Sequence, residues 1–422
     1  MKRFTLSVLA LCSLAGAASA AATLEWLPDG IAPSSLSYDG SVVAGNVIGD
    51  YSYETYRWTS ATGVVRLGQS TYDTIGVAAG VPKVSYDGTR ISGTILSSDD
   101  FATQGIWDIN TGWQETMPPA PANGGIMDLS YGSAWGLSGN GLMVTGFYWT
   151  NTGRAQSSTW TSTAGMVALP QLANHNARVN AASYDGSVVV GWEEHSNGPW
   201  QPRVWRNGVK YNIFDSDAFT SAESVNGDGS IVVGQIWDPV FNLRVAAIWY
   251  WNGTSYTLTN LGYLPGTIIG RGQALLTGVS NNGKIAVGFD QFRDTSPLTA
   301  GAIWTPATGL VYATDYLASI GIAFPEDQML LEMDAVSPDG STLAGMSQDI
   351  DGYLHPFLVH LTPPCTVDVN SDGHVNTLDL GIVLSHFGSS VVPGMNGDTN
   401  GDGVVNTLDL GAILSAFGSN CP

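Results

Sequence analysis

The strongest constraint on this chain is a stretch that it repeats. Ser183 to Gly191 reads Ser-Tyr-Asp-Gly-Ser-Val-Val-Val-Gly, and close copies begin at Ser37, Ser85, Ser138, Asn226, Ser280 and Ser337. Their turn glycines, Gly40, Gly88, Gly141, Gly186, Gly229, Gly283 and Gly340, stand 48, 53, 45, 43, 54 and 57 residues apart. Asp-Gly or Asn-Gly supplies the positive φ of a tight hairpin, and the Val-Val or Ile-Val that follows reads as strand. An aromatic comes 17 to 21 residues after each turn glycine: Trp58, Trp107, Trp160, Trp205, Trp249, Trp304 and, in the last copy, Phe357. A second glycine turn and a fourth apolar strand come next, as in Gly63 to Leu67 and Gly309 to Tyr312. Four strands in units of about 49 residues predict a mainly β fold, a seven-bladed β-propeller with four-stranded blades over residues 21–362. The recurring aromatic is expected to pack blade against blade.

The seventh unit lacks its fourth strand, because the chain meets Pro363-Pro364 soon after Leu361. Residues 23–30, Thr-Leu-Glu-Trp-Leu-Pro-Asp-Gly, resemble the fourth-strand passage Leu258 to Gly266 in their Leu and Pro-Gly-like ending, and residues 23–27 are expected to complete the last blade beside Phe357. Closure of that kind removes the exposed sheet edge of an open β-solenoid, the alternative architecture.

Composition narrows the function classes. The chain has 422 residues, 52 glycines and a formal net charge of −21, which argues against nucleic acid or anionic membrane as partner. Met1 to Ala20 carries Lys2 and Arg3, an apolar run and Ala18-Ser19-Ala20, and reads as a secretory signal peptide. The location is therefore secreted or cell-surface. A lipoprotein reading through Cys12 is disfavoured by the bulky Leu11 before it. No other segment approaches a membrane span. Removing the signal leaves Cys365 and Cys421, and an even pair in an exported chain suggests a disulfide.

The tail holds the clearest chemistry. Asp368, Asn370, Asp372, Asn376 and Asp379 stand at positions 1, 3, 5, 9 and 12 of a loop with Gly373 at position 6 and His374 at position 7. Asp398, Asn400, Asp402, Val404, Asn406 and Asp409 repeat it thirty residues later, with Gly403 at the bend. This spacing wraps a chain round a hard cation: alternate oxygens converge, and position 7 offers its carbonyl. Two Ca²⁺ ions are expected. A helical pattern follows each loop, with Leu380, Val383, Leu384 and Phe387 or Leu410, Ile413, Leu414 and Phe417 on one face and Gly388 or Gly418 as the stop. Loop then helix, twice, with Asp and not Glu at position 12 and near-identical Asn-Thr-Leu-Asp-Leu-Gly entries, resembles a type I dockerin over residues 363–422. The edging Cys365 and Cys421 are similar to those of planctomycete dockerins. The resemblance implies a cohesin-like partner, met through Thr377, Leu378, Leu384 and Ser385 and their counterparts Thr407, Leu408, Leu414 and Ser415.

The repeats resemble the HAF-type repeats of bacterial surface proteins, which implies extracytoplasmic β architecture and no catalytic residue. Their turn is also similar to the Asp-box of sialidases, but it lacks the Trp that closes that box. The expected function is a non-catalytic binding protein anchored through the tail; the alternative is a polysaccharide-degrading hydrolase or lyase delivered by it. Loops after the Val-Val-Gly strands carry Trp192, Glu193, Glu194, His195, Trp200, Trp237, Asp238, Asp290 and Arg293. Of these, Trp192, Glu193 and Trp237 are the expected ligand face for a glycan or peptide, an exposed Trp beside a carboxylate suiting sugar stacking and hydroxyl bonding. No serine nucleophile elbow, zinc motif, phosphate loop or dinucleotide fingerprint is present.

Overall fold

The computed structural model describes residues 21–48, 53–71, 80–118, 125–126, 130–196, 198–294, 297–361, 365–370 and 372–421; the expected signal peptide lies outside them. Each repeat forms a four-stranded antiparallel sheet in chain order, as in Gly132–Leu137, Met143–Trp149, Ala155–Thr161 and Gly165–Ala168. A single parallel bridge between Arg244 and Gln273 joins two neighbouring sheets. The last repeat supplies Gln328–Val336, Thr342–Asp349 and Leu354–His360, and its fourth strand comes from the other end of the chain. Thr23–Trp26 lies antiparallel to Leu354–His360, with Thr23 opposite His360 and Trp26 opposite Phe357. The pairing expected of residues 23–27 is therefore present.

The turn residues explain why the motif recurs. The opening Ser or Asn accepts a hydrogen bond from the backbone N–H five residues on, as in Val188 to Ser183 Oγ (3.1 Å) and Ile231 to Asn226 Oδ1 (2.9 Å). The Asp or Asn two residues later accepts from the N–H two further on, as in Ser187 to Asp185 Oδ1 (2.8 Å). The glycine then takes positive φ, 75° at Gly186, where a Cβ would also strike Met143 of the preceding repeat.

Neighbouring turns are stitched together. Tyr38 N–H donates to Tyr86 O (2.9 Å), Tyr86 N–H to Gly139 O (2.8 Å), Gly139 N–H to Ser183 O (3.4 Å) and Tyr184 N–H to Gly227 O (2.8 Å). Gly227 N–H donates to Asn281 Oδ1 (2.9 Å), Asn281 N–H to Pro338 O (2.7 Å), and Asp339 N–H returns to Tyr38 O (3.1 Å). The belt closes on itself. The first strands of the repeats follow the same circuit, each packed on the next and Gln328–Val336 on Ile31–Leu36. Among the recurring aromatics, Trp205, Trp249 and Phe357 are fully buried, while Trp107 is half-buried. Trp205 Nε1 donates to Pro170 O of the preceding repeat (2.8 Å), and Trp249 Nε1 to Ile213 O (3.2 Å). Burial with a bonded N–H between repeats is the packing role expected.

The described helices are short: α1 (Ala313–Ser319), α2 (Thr377–His386) and α3 (Thr407–Ser415). The tail packs α2 and α3 around Val375, Val383, Val405, Ile413 and Cys421. Cys421 is bonded to Cys365, their Cα atoms 5.8 Å apart.

Candidate calcium loops and docking surface

In both tail loops the oxygen side chains turn inward and organise backbone. Asp368 accepts from Asp372 N–H and Gly373 N–H (both 3.0 Å). Asp398 accepts from Gly401, Asp402 and Gly403 N–H (2.9, 3.2 and 2.8 Å). Asn370 Nδ2 reaches Asp372 Oδ2 (2.9 Å) and Asn400 Nδ2 reaches Asp402 Oδ2 (3.0 Å). Asn376 and Asn406 donate to the carbonyls of His374 (3.4 Å) and Val404 (3.1 Å), so the position-7 carbonyls face the same interior as the side chains. Asp379 and Asp409 are fully buried. Each also closes a capping box at the start of its helix: the Asn side chain accepts from the first turn, and the Asp accepts from the Asn N–H (2.8 Å). The sequence reading assigned these aspartates to the loops alone and missed their place in the helix cap.

The donor set fits a hard divalent cation by its chemistry, since three carboxylates, two amide oxygens and a carbonyl encircle each loop with no lysine or arginine among them. Burial raises the Asp398 carboxyl above the usual carboxylate range, and the charges of Asp409 and Asp402 add to it. Crowded acid groups of this kind gain most from a cation. Among the described residues the acid groups are spread over backbone amides, and no three of them are drawn together in metal-holding geometry.

The two helices and the residues just past their ends present matched apolar residues to solvent. Leu378 and Leu408 are 61% and 66% exposed, Leu384 and Leu414 are 54% and 56%, and Phe387 and Phe417 are 46% and 48%. Thr377, Ser385, Thr407 and Ser415 are exposed beside them. The sequence pattern placed Leu384, Phe387, Leu414 and Phe417 on the same apolar face as the core residues. Instead Val383 and Ile413 fill the core, and these four face water.

The expected ligand face on the repeats needs correction. Trp192 is only 7% exposed and stacks on Trp200, ring centroids 4.5 Å apart. Glu193 is 1% exposed and accepts from Lys210 Nζ (2.8 Å), Arg203 Nε (3.2 Å) and Leu172 N–H (2.6 Å). Strand Val188–Glu194 runs on past its glycine, so both residues belong to the sheet and not to a loop. Trp237 is half-buried; the aromatics offered to solvent here include Trp200, 39% exposed, and Phe219, 48% exposed and packed on it. Asp290 is also buried, accepting from Leu264 N–H (3.0 Å) and Thr267 Oγ1 (2.8 Å).

Sequence reasoning missed one set of residues altogether. In six of the first strands the ladder skips a residue three before the turn Ser or Asn: Ser34, Trp135, Asn180, Glu223, Thr277 and Asp334. A bulge re-aims its side chain, and all six line one cavity of about 280 Å³. The signal was there in the irregular, often polar, identity of that position in an otherwise apolar strand.

Residues 366–416 match the dockerin type I domain, a class that generally binds calcium and pairs with cohesins. No curated protein matches the chain. Solved structures similar to it include one of two prolyl endopeptidases (8% identity, 79% of this chain and 50% of that one, TM-score 0.50). They also include the β-propeller domain of the Trilobed protease of Pyrococcus furiosus (9%, 78% and 95%, 0.48) and TolB of Acinetobacter baumannii (12%, 77% and 65%, 0.42). The chain thus spans 65% of the length of that TolB. At such identities the likeness is one of fold, mainly β with propeller-like neighbours. No described helix is long and apolar enough to cross a membrane.

Proposed function

We propose that this chain is an exported binding protein in which a non-catalytic, closed seven-bladed β-propeller (residues 21–362) is held on a cohesin-like partner by a type I dockerin (363–422) loaded with two Ca²⁺ ions. The observation that carries the reading is the duplicated, solvent-facing stripe of Leu378, Leu384 and Phe387 against Leu408, Leu414 and Phe417, exposed to nearly the same extent in each copy. Apolar side chains held out on and just past two short helices are a partner surface, and two matched copies allow two orientations of it. When bound, calcium supplies the charge that holds the three carboxylates of a loop together; Asp368, Asn370, Asp372, His374, Asn376 and Asp379 would hold one ion, Asp398, Asn400, Asp402, Val404, Asn406 and Asp409 the other. The belt of turns and the strand from the N-terminus support the closed propeller. The candidate acid for hydrolysis, Glu193, is engaged in buried ion pairs, which favours a binding role for the repeats.

The test is a calcium titration by calorimetry followed by binding to a type I cohesin. About two sites, helicity that falls on chelation, and loss of cohesin binding in Leu378→Ala/Leu408→Ala with calcium uptake intact are expected. No uptake at millimolar Ca²⁺ would overturn the reading.

A further inference from the structure

The bulged residues do more than fill the axis of the repeats. Among the turns, Tyr86 Oη donates to Asn281 Oδ1 (2.9 Å), and Asn281 Nδ2 donates to the Pro393 carbonyl of the tail (3.3 Å). Within the cavity that the bulged residues line, acceptors stand without donors. Asn46 Oδ1 lines the cavity and is buried with no partner. The Asp334 carboxylate also lines the cavity and accepts no hydrogen bond among the described residues. Glu223 is satisfied by Asn180 Nδ2 (2.9 Å) and Ser221 Oγ. Of the cations, Lys83 donates to Ser34 O (3.0 Å), and Arg178 lies over the Trp135 ring (3.4 Å) with its Nε on Asn180 Oδ1 (2.7 Å).

Among the described residues, the acid groups Glu223, Glu332 and Asp334 interact with two bases, Lys83 and Arg178, an excess of one acid group. A carboxyl group without a hydrogen bond and an orphaned amide oxygen are each costly to leave unmet in a cavity. Burial, with Glu332 adding and Lys83 opposing, holds the Asp334 carboxyl well above its usual range, as expected where a cation is wanted and absent. What would satisfy the set is one positive charge bearing several N–H donors. A sugar hydroxyl supplies donors without charge; an alkali ion supplies charge without directed donors.

We propose that this cavity is a binding site for a small primary amine, its ammonium group donating to the Asp334 carboxylate and Asn46 Oδ1. A volume of about 280 Å³ takes a body of only a few heavy atoms beyond that group. The ammonium offsets the excess acid group and pairs acceptors that are otherwise unmet.

Calorimetry on the full chain in calcium-containing buffer at pH 7.5, with ethanolamine as probe, tests this. Ethylene glycol is the neutral match, and potassium chloride the charge match. One saturable site for ethanolamine is expected, at least tenfold weaker for potassium and absent for ethylene glycol. Asp334→Asn, which keeps the size of the side chain, should weaken the site at least tenfold, and Asn46→Leu should weaken it severalfold, both with unchanged circular dichroism. A response that fails to saturate, equal binding of potassium or ethylene glycol, or full affinity in folded Asp334→Asn would each overturn the proposal.

Discussion

Replacing Glu193 separates a structural role from the ligand role that its sequence setting suggested. Its side chain is 1% exposed and meets Arg203, itself 2% exposed, and Lys210, 21% exposed. Arg203 also donates to Asp215 (2.9 Å) and to the carbonyls of Pro202 (3.0 Å) and Phe214 (3.1 Å). Glu193→Gln keeps the shape and an acceptor for Leu172 N–H but leaves the guanidinium with only the half-exposed Asp215 as counter-charge. Breaking a buried pair from one side costs about 3–5 kcal/mol. The surviving Asp215 contact places the Gln variant near the lower end of that range and Glu193→Ala, which also strands Leu172 N–H, near the upper. Urea unfolding followed by tryptophan fluorescence measures both. Adding Arg203→Met to Glu193→Gln should recover much of the loss, because an apolar pair needs no counter-charge. A Glu193→Ala protein within about 0.5 kcal/mol of wild type, the ordinary range for surface changes, would refute the argument.

Further outcomes follow from single features. Burial raises Asp290 to about 6, so the folded state binds the extra proton; stability is fullest below the ordinary carboxylate range near 3.8 and falls as pH rises towards 6. That difference is worth up to about 3 kcal/mol, and Asp290→Asn should abolish it in urea titrations run from pH 4 to pH 7; an unchanged slope would refute it. Cys365→Ser with Cys421→Ser opens a loop with a sequence separation of 56, and calcium-loaded tail stability should drop by about 4 kcal/mol in the chain-entropy treatment, read from chelator-induced loss of helix. Deleting residues 21–26 bares the edge of Leu354–His360 and uncovers Phe357 and Phe324, which pack on Trp26. Size-exclusion chromatography should then show self-association, and a monomer of unchanged stability would argue against a closing strand.

Much of this was legible because repetition multiplies weak signals. One Asp-Gly is a turn; a set at even spacing, each followed by an aromatic, is an architecture, and the Ser and Asp of each turn were spending their side chains on backbone N–H groups, as at Ser183 and Asp185. The calcium loops were legible for the same reason, alternate oxygens around a glycine. What failed was exposure. Trp192 and Glu193 follow a glycine and look like loop, but the strand continues to Glu194 and buries both. A bulge shifts which face a residue takes, so a period-two reading of the first strands could not place Asn180, Glu223 or Asp334 at the axis. Leu384 and Phe387 mislead in the opposite direction, since an apolar residue kept for a partner follows the same helical spacing as one kept for the core.

The tail is internally repeated, yet its copies do not share one environment, and that difference is measurable. Gly394 and Gly401 press against Tyr38 of the first turn, and Val392 lies beside Gly227. Asp398, Thr399 and Gly403 are buried where their counterparts Asp368, Val369 and Gly373 are half-buried. If each loop holds an ion, the second loop must part from the turn face before it can open, and the first need not. Calcium release into excess chelator from the full chain should therefore be biphasic, the slow phase belonging to the second loop. Tyr38→Ala removes the ring that packs on Gly394 and Gly401 and should quicken the slow phase several-fold while leaving the fast phase unchanged. Two phases with unaltered rates in Tyr38→Ala would mean that the loops differ intrinsically, and a single phase in wild type would mean that docking does not restrain release at all.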